Sequence, residues 1–192
     1  EGCTLREKIG KGPIEYEEVL YFGVEIASGL AKVHEKGIIH RDIKPANIII
    51  TKDKRIKILD FGLAILSGQT RLTLKGEMTI GTVNYMSPEQ VRGRDIDHRT
   101  DIWSLGVVLY EMVTGKHPFR GANAHSVIHS ILNDVPDPIM NMTKKIPKGF
   151  EYIINRCLEK NPENRFLSMD DVKESLQRLQ HYDLGDLLIA QE

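Results

Sequence analysis

Residues 38–62 read IIHRDIKPANIIITKDKRIKILDFG, with two short apolar runs, Ile48-Ile49-Ile50 and Ile56 to Leu59, on either side of the polar turn Thr51-Lys52-Asp53-Lys54-Arg55. Apolar runs of strand length around a polar turn predict a β-hairpin. One strand begins just after Asn47 and the other ends at Asp60, so pairing the two brings an amide oxygen and a carboxylate to the same end. Hard cations such as Mg²⁺ take oxygen ligands and combine one or two carboxylates with substrate phosphates, so this pair is a candidate anchor for a metal and a phosphate. Asp42, on the loop that feeds the first strand, adds a carboxylate for proton handling, and Lys44 adds a positive charge for a transferring phosphoryl group.

At these residues a family resemblance becomes specific. His40-Arg41-Asp42-Ile43-Lys44-Pro45-Ala46-Asn47 resembles the catalytic loop of protein kinases, and Asp60-Phe61-Gly62 resembles their metal-binding motif. Ser87-Pro88-Glu89 follows where the family usually has Ala-Pro-Glu. Lys44, and Gly81-Thr82 before Tyr85, resemble serine/threonine rather than tyrosine kinases, and Tyr85-Met86-Ser87-Pro88-Glu89-Gln90 is similar to the bacterial, eukaryotic-like group. The resemblance implies an α+β, mainly α fold: a protein-kinase-like large lobe with a short β-hairpin carrying the active-site loop. It covers residues 1–180, with 181–192 left as a C-terminal tail that resembles nothing placed here.

Composition bounds the rest. In 192 residues, hydrophobic types make up 41% and charged types 28%, which is enough apolar material for one domain with its own core. Lys+Arg 26 against Asp+Glu 27 leaves a net charge of -1, so no overall field favours nucleic acid or an acidic membrane. Cys3 and Cys157 are too few for a disulfide framework and are expected to be free thiols in a reducing, cytoplasmic setting. No apolar run reaches the length of a membrane span. The chain starts Glu1-Gly2-Cys3-Thr4 without Met, and a fragment is expected.

Along the chain, Thr4 with Glu7 three residues on has the form of a capping box for a short helix ending at Gly10. Gly10 and Gly12 lack the third glycine of a nucleotide loop and read as a linker. Val19, Phe22, Ile26, Leu30 and Val33 recur every three or four positions, which predicts an amphipathic helix from Tyr16 to Lys36, closed by Gly37. Residues 63–85 show no sustained period and read as a long loop. Asp101 to Thr114 is almost continuously apolar and predicts a buried helix. Two more helices are expected about Ala124 to Leu132 and Gly149 to Leu158, and Ser168 is expected to cap a last one through Val172, Leu176 and Leu179. His125 and His129 have zinc-pair spacing, yet no Glu or Cys completes a site.

Site roles are carried over from the resemblance residue by residue. It implies that Asp42 orients the acceptor hydroxyl and takes its proton, that Lys44 neutralises charge on the transferred group, and that Asn47 and Asp60 hold Mg²⁺ with ATP. Ile49 is implied to pack under adenine, with Thr4 near the ribose. His40, Phe61 and Gly62 are implied to set the position of the motifs, and Thr82 to hydrogen-bond the catalytic Asp and Lys. An Asp at the place of Asp101 holds the catalytic-loop backbone in the family, although a helix-dipole role is an equally physical account. Arg165 resembles the partner of Glu89, and Arg41 the arginine that receives a phosphate from the activation segment, where Thr70, Thr73 and Thr79 are candidate acceptors, Thr79 and then Thr73 preferred.

No Gly-rich phosphate-covering loop and no strand Lys of the small lobe occur in these residues, so the chain is expected to need its small lobe as a partner and to be inactive alone. Three readings compete: the large lobe of an active serine/threonine kinase acting on protein Ser/Thr hydroxyls, a pseudokinase scaffold that binds protein partners, and a small-molecule phosphotransferase. Retention of Asp42, Asn47 and Asp60 favours the first over the second. Lys44-Pro45 and the run from Ser87-Pro88-Glu89 to Asp101 and Trp103 argue against the third.

Overall fold

The computed structural model describes residues 2–60, 83–142 and 146–189, with 181–189 as backbone only. In chain order the elements are β1 (Gly2–Thr4), α1 (Leu5–Ile9), α2 (Tyr16–His34), β2 (Ile48–Thr51), β3 (Ile56–Ile58), α3 (Pro88–Val91), α4 (Arg99–Thr114), α5 (Ala124–Asn133), α6 (Lys148–Cys157) and α7 (Met169–Ile189), with short 3₁₀ turns such as Pro45–Asn47. The fold is α+β and mainly α, as expected.

The hairpin forms from β2 and β3, antiparallel, with Ile48 opposite Ile58 and Ile50 opposite Ile56. Ile48 and Ile50 are buried while Ile49 is half-buried, the alternation of a strand with one face on the core. A third strand was not expected: β1 pairs with the outer edge of β2, Gly2 opposite Thr51 and Thr4 opposite Ile49. Three residues are too short to show a period of two, so β1 is visible only through its partner. Thr4 ends the strand and starts α1. Its backbone N–H donates to Glu7 Oε2 at 2.8 Å, and its Oγ1 accepts from the Glu7 N–H at 3.1 Å, closing the expected capping box.

Helix α4 is the centre of the core, because residues Thr100 to Tyr110 and Met112 to Thr114 are all buried. Gly106 sits where α4 meets α6: a Cβ added there would lie 2.6 Å from the Cβ of Cys157, so only glycine lets the two helices approach this closely. Helix α2 packs its Val19, Phe22, Ile26 and Leu30 stripe, fully buried, against α4 and α7. It ends at His34, two residues before the expected Lys36. Gly37 then takes a left-handed φ of 71° and turns the chain toward His40. Ser168 caps α7, its Oγ accepting from the Asp171 N–H at 3.2 Å while Asp171 Oδ2 accepts from the Ser168 N–H at 2.8 Å. The helix runs unbroken past residue 181 to Ile189, where a separate tail was expected.

Cys3 and Cys157 are both free, and burial pushes the Cys157 thiol up to about 12. Among the described residues, no helix is long and apolar enough to cross a membrane.

Candidate active site

The loop that begins at His40 is held from behind by one buried carboxylate. Asp101, in the first turn of α4 and fully buried, accepts the His40 N–H at 2.9 Å on Oδ2 and the Arg41 N–H at 2.8 Å on Oδ1. His34 Nε2 donates to Oδ2 at 2.8 Å. Three donors satisfy an anion that burial would otherwise destabilise. Asp101 thus stands in the first turn of α4 and hydrogen-bonds the loop backbone.

This grip matters because Arg41 holds a left-handed φ of 67°, a conformation that a residue with a Cβ adopts only when its surroundings enforce it. His40 supports the loop from inside. Its Nδ1 accepts from the Asp42 N–H at 3.3 Å, so its Nε2 carries the hydrogen that goes to the Leu59 carbonyl at 3.0 Å. That bond ties the loop to the end of β3, and His40 is fully buried.

The front of the loop carries the polar side chains of Asp42, Lys44 and Asn47. Lys44 Nζ donates to Asp42 Oδ2 at 2.7 Å, and the Asn47 amide nitrogen donates to the same oxygen at 3.1 Å and to the Asp42 carbonyl at 3.0 Å. The Asn47 amide is therefore turned with its N–H groups toward Asp42, leaving its oxygen for a cation. The Leu59 N–H donates to the Asn47 carbonyl at 2.8 Å, extending the hairpin ladder by one step and setting Asp60 just beyond it. Sequence pairing of Asn47 and Asp60 at one end of the hairpin is what the sheet delivers. Asp60 is exposed and takes a left-handed φ of 59°. An amide oxygen and an exposed carboxylate are the donor types a hard cation takes. No cluster of three or more His, Cys, Asp or Glu that could hold a metal occurs among the described residues, and a cation that completes its shell with phosphate and water needs none.

Thr4 and Ile49, expected beneath the nucleotide, stand directly opposite each other on β1 and β2, on the sheet face away from the buried Ile48 and Ile50. The Thr4 hydroxyl oxygen is already engaged in its helix cap.

Glu89 and Arg165 form a two-pronged pair: Nη1 to Oε1 at 2.7 Å and Nη2 to Oε2 at 2.8 Å. Arg165 is 1% exposed and Glu89 5%. Nε of Arg165 donates to the Glu159 carbonyl and Nη1 also to that of Arg99, and its guanidinium lies over the Trp103 ring. Burial by itself would raise the Glu89 carboxyl, but the hydrogen bonds and charge of Arg165 outweigh it and hold the group below its usual range. The pair joins α3 to the chain just before α7.

Phe61, Gly62, Thr70, Thr73, Thr79 and Thr82 lie outside the described residues. Two residues that bear on the loop escaped the sequence reading. His34 was given no role, and Gln90 entered only as the last letter of Tyr85-Met86-Ser87-Pro88-Glu89-Gln90. Gln90 is 3% exposed and its Nε2 donates to the Arg41 carbonyl at 2.8 Å. Ser87-x-x-Gln90 does have capping-box form, which could have flagged the helix start, though not the reach of Gln90 to Arg41.

The family described as protein kinase domain matches residues 1–176. A probable serine/threonine-protein kinase of Clostridium acetobutylicum is 38% identical over 186 residues, 96% of this chain and 28% of the relative. A probable serine/threonine-protein kinase of Clostridium perfringens is 37% identical over 93% of the chain and 26% of its own length. Serine/threonine-protein kinase PknB of Mycobacterium tuberculosis is 35% identical over 93% of the chain and 29% of its own length. The chain thus spans just over a quarter of the length of these relatives.

Proposed function

Because the chain belongs to the protein kinase family, with serine/threonine kinases as its relatives, we propose that it is the large lobe of an ATP-dependent protein kinase that phosphorylates Ser and Thr hydroxyls of proteins in the cytoplasm. The observation that carries this reading is the cluster at Asp42, where a carboxylate, the Lys44 ammonium and the Asn47 amide meet within hydrogen-bond distance. Oδ2 of Asp42 takes both contacts, which leaves Oδ1 to orient the acceptor hydroxyl and accept its proton. Lys44 lies beside that oxygen, placed to neutralise charge on the transferred phosphoryl group. Mg²⁺ held by the Asn47 oxygen and Asp60 would neutralise the phosphates of ATP. Positioning and charge neutralisation are most of what phosphoryl transfer requires of a protein.

Two experiments test this. In the intact parent, Asp60→Asn replaces a carboxylate facing a dication by an amide, and the Mg²⁺ concentration for half-maximal transfer should rise by at least roughly ten- to a hundred-fold, the cost of losing even an outer-shell partner of a metal site. Thermal unfolding should hardly move, because Asp60 is exposed. An unchanged Mg²⁺ requirement would remove Asp60 from the metal site.

Purified 1–192, assayed with Mg²⁺-ATP and a generic protein acceptor, should transfer no phosphate above an Asp42→Ala control. It holds no Gly-rich loop and no strand Lys to position the nucleotide, and each lost stabilising contact costs on the order of 10²- to 10³-fold in rate. Transfer above the control would show that this half of the site suffices.

A further inference from the structure

We propose that Gln90 is a positioning residue for phosphotransfer, holding the strained Arg41 peptide and through it the placement of Asp42. Arg41 has a left-handed φ of 67°. A non-glycine residue is strained there and is kept in place where the surrounding contacts over-determine it. Asp101 constrains one side, accepting the Arg41 N–H at 2.8 Å; Gln90 constrains the other, its Nε2 donating to the Arg41 carbonyl at 2.8 Å. That carbonyl belongs to the peptide whose nitrogen is the nitrogen of Asp42, so the Gln90 contact acts on the bond that carries the proposed base.

The orientation of the Gln90 amide follows from its other partners. Oε1 accepts the Ser87 N–H at 2.9 Å, which turns the –NH₂ toward Arg41. The Gln90 N–H donates back to Ser87 Oγ at 3.3 Å, and Ser87 Oγ meets Thr100 Oγ1 at 2.7 Å. Thr100 immediately precedes Asp101 on α4. The contacts therefore close a ring: Gln90 to the Arg41 carbonyl, the Arg41 N–H to Asp101, Thr100 to Ser87, and Ser87 back to Gln90. Ser87, Gln90, Thr100 and Asp101 are each no more than 3% exposed, so water offers little substitute for a lost member. The ring joins the first turn of α3 to the catalytic loop.

The carboxamide is required, and shape alone does not serve. In Gln90→Glu an acceptor oxygen replaces the donor and faces the Arg41 carbonyl, while the oxygen that caps Ser87 is kept. Burial and that opposing carbonyl raise the new carboxyl's pKa, and only its protonated form restores a donor to Arg41.

The kinetic part of the test rests on the kinase reading above, and amide hydrogen exchange of the stretch 38–44 does not. In the intact parent, Gln90→Glu above the new carboxyl's pKa should speed exchange in 38–44 and lower kcat roughly ten- to a hundred-fold, the cost of a misplaced reacting group. The KM for ATP should stay within about two-fold, and kcat relative to wild type should recover as pH falls. Gln90→Met, of similar length and without a donor, should show the same loss with no recovery in acid, and it carries the test if Gln90→Glu does not fold. Wild-type exchange in 38–44 and wild-type kcat in both variants would overturn the assignment. So would a loss that appears as faster exchange throughout the chain with a lowered unfolding temperature, which marks a purely structural role. If the wild-type parent transfers no phosphate, the function proposed above fails, and exchange in 38–44 still decides the place of Gln90.

Discussion

On the kinase reading proposed above, Asp42→Asn in the intact parent should lower kcat by roughly 10²–10⁴-fold, the range that a positioned proton acceptor contributes, while the KM for ATP and the unfolding temperature stay near wild type. The fold should tolerate the change because an asparagine amide can place its oxygen where Asp42 Oδ2 now accepts from Lys44 at 2.7 Å and from Asn47 at 3.1 Å. What the amide lacks is the basicity to take a proton. The side chain is about a quarter exposed, as is that of Lys44, so it faces the region where an acceptor would arrive. Steady-state kinetics with calorimetry on the same preparation check this. Nucleotide affinity that collapses while turnover at saturation survives would mean that Asp42 serves the nucleotide, and that the division of labour between Asp42 and Asp60 is reversed.

The residues of that experiment were legible from the chain because they lie on one continuous stretch, 40–60, whose hairpin is written in two apolar runs and a polar turn. Local signals of the same kind marked the Thr4–Glu7 cap, the α2 stripe and the uniformly apolar α4. The contacts that hold the loop in place are of another kind. His34 to Asp101 spans 67 positions and Gln90 to Arg41 spans 49, each a single polar side chain meeting a distant partner, and neither leaves a period in its own neighbourhood. The strand β1 was invisible for a related reason, since its only evidence is the register it shares with β2. Glu89 and Arg165, 76 positions apart, would have been equally hidden without the family resemblance, for a glutamate after a proline and an arginine near a chain turn are ordinary surface residues by local criteria.

Their burial makes the pair a large expected stability contrast. Glu89→Ala should destabilise the fold by about 3–5 kcal/mol, because it strands a guanidinium that is 1% exposed without its counter-charge. An exposed pair would contribute only about 0–1 kcal/mol, so denaturant unfolding separates the two cases directly. Acid should imitate the substitution. The Glu89 carboxyl sits below its ordinary value of 4.5 in the folded chain, so its stabilisation is fully present above that value and is lost as pH falls through the folded one. The variant should therefore lose less stability than wild type on acidification below about 4.5. Replacing both partners, Glu89→Leu with Arg165→Met, should cost less than Glu89→Ala alone, since a buried pair exchanged for apolar groups leaves no orphaned charge. Measured unfolding free energies for wild type, each single variant and the double variant settle the matter. If Glu89→Ala falls within about 1 kcal/mol of wild type, or if the double variant is as unstable as the sum of the singles, then Arg165 is held by the carbonyls of Glu159 and Arg99 and by the Trp103 ring, and the carboxylate is not what locks the lobe.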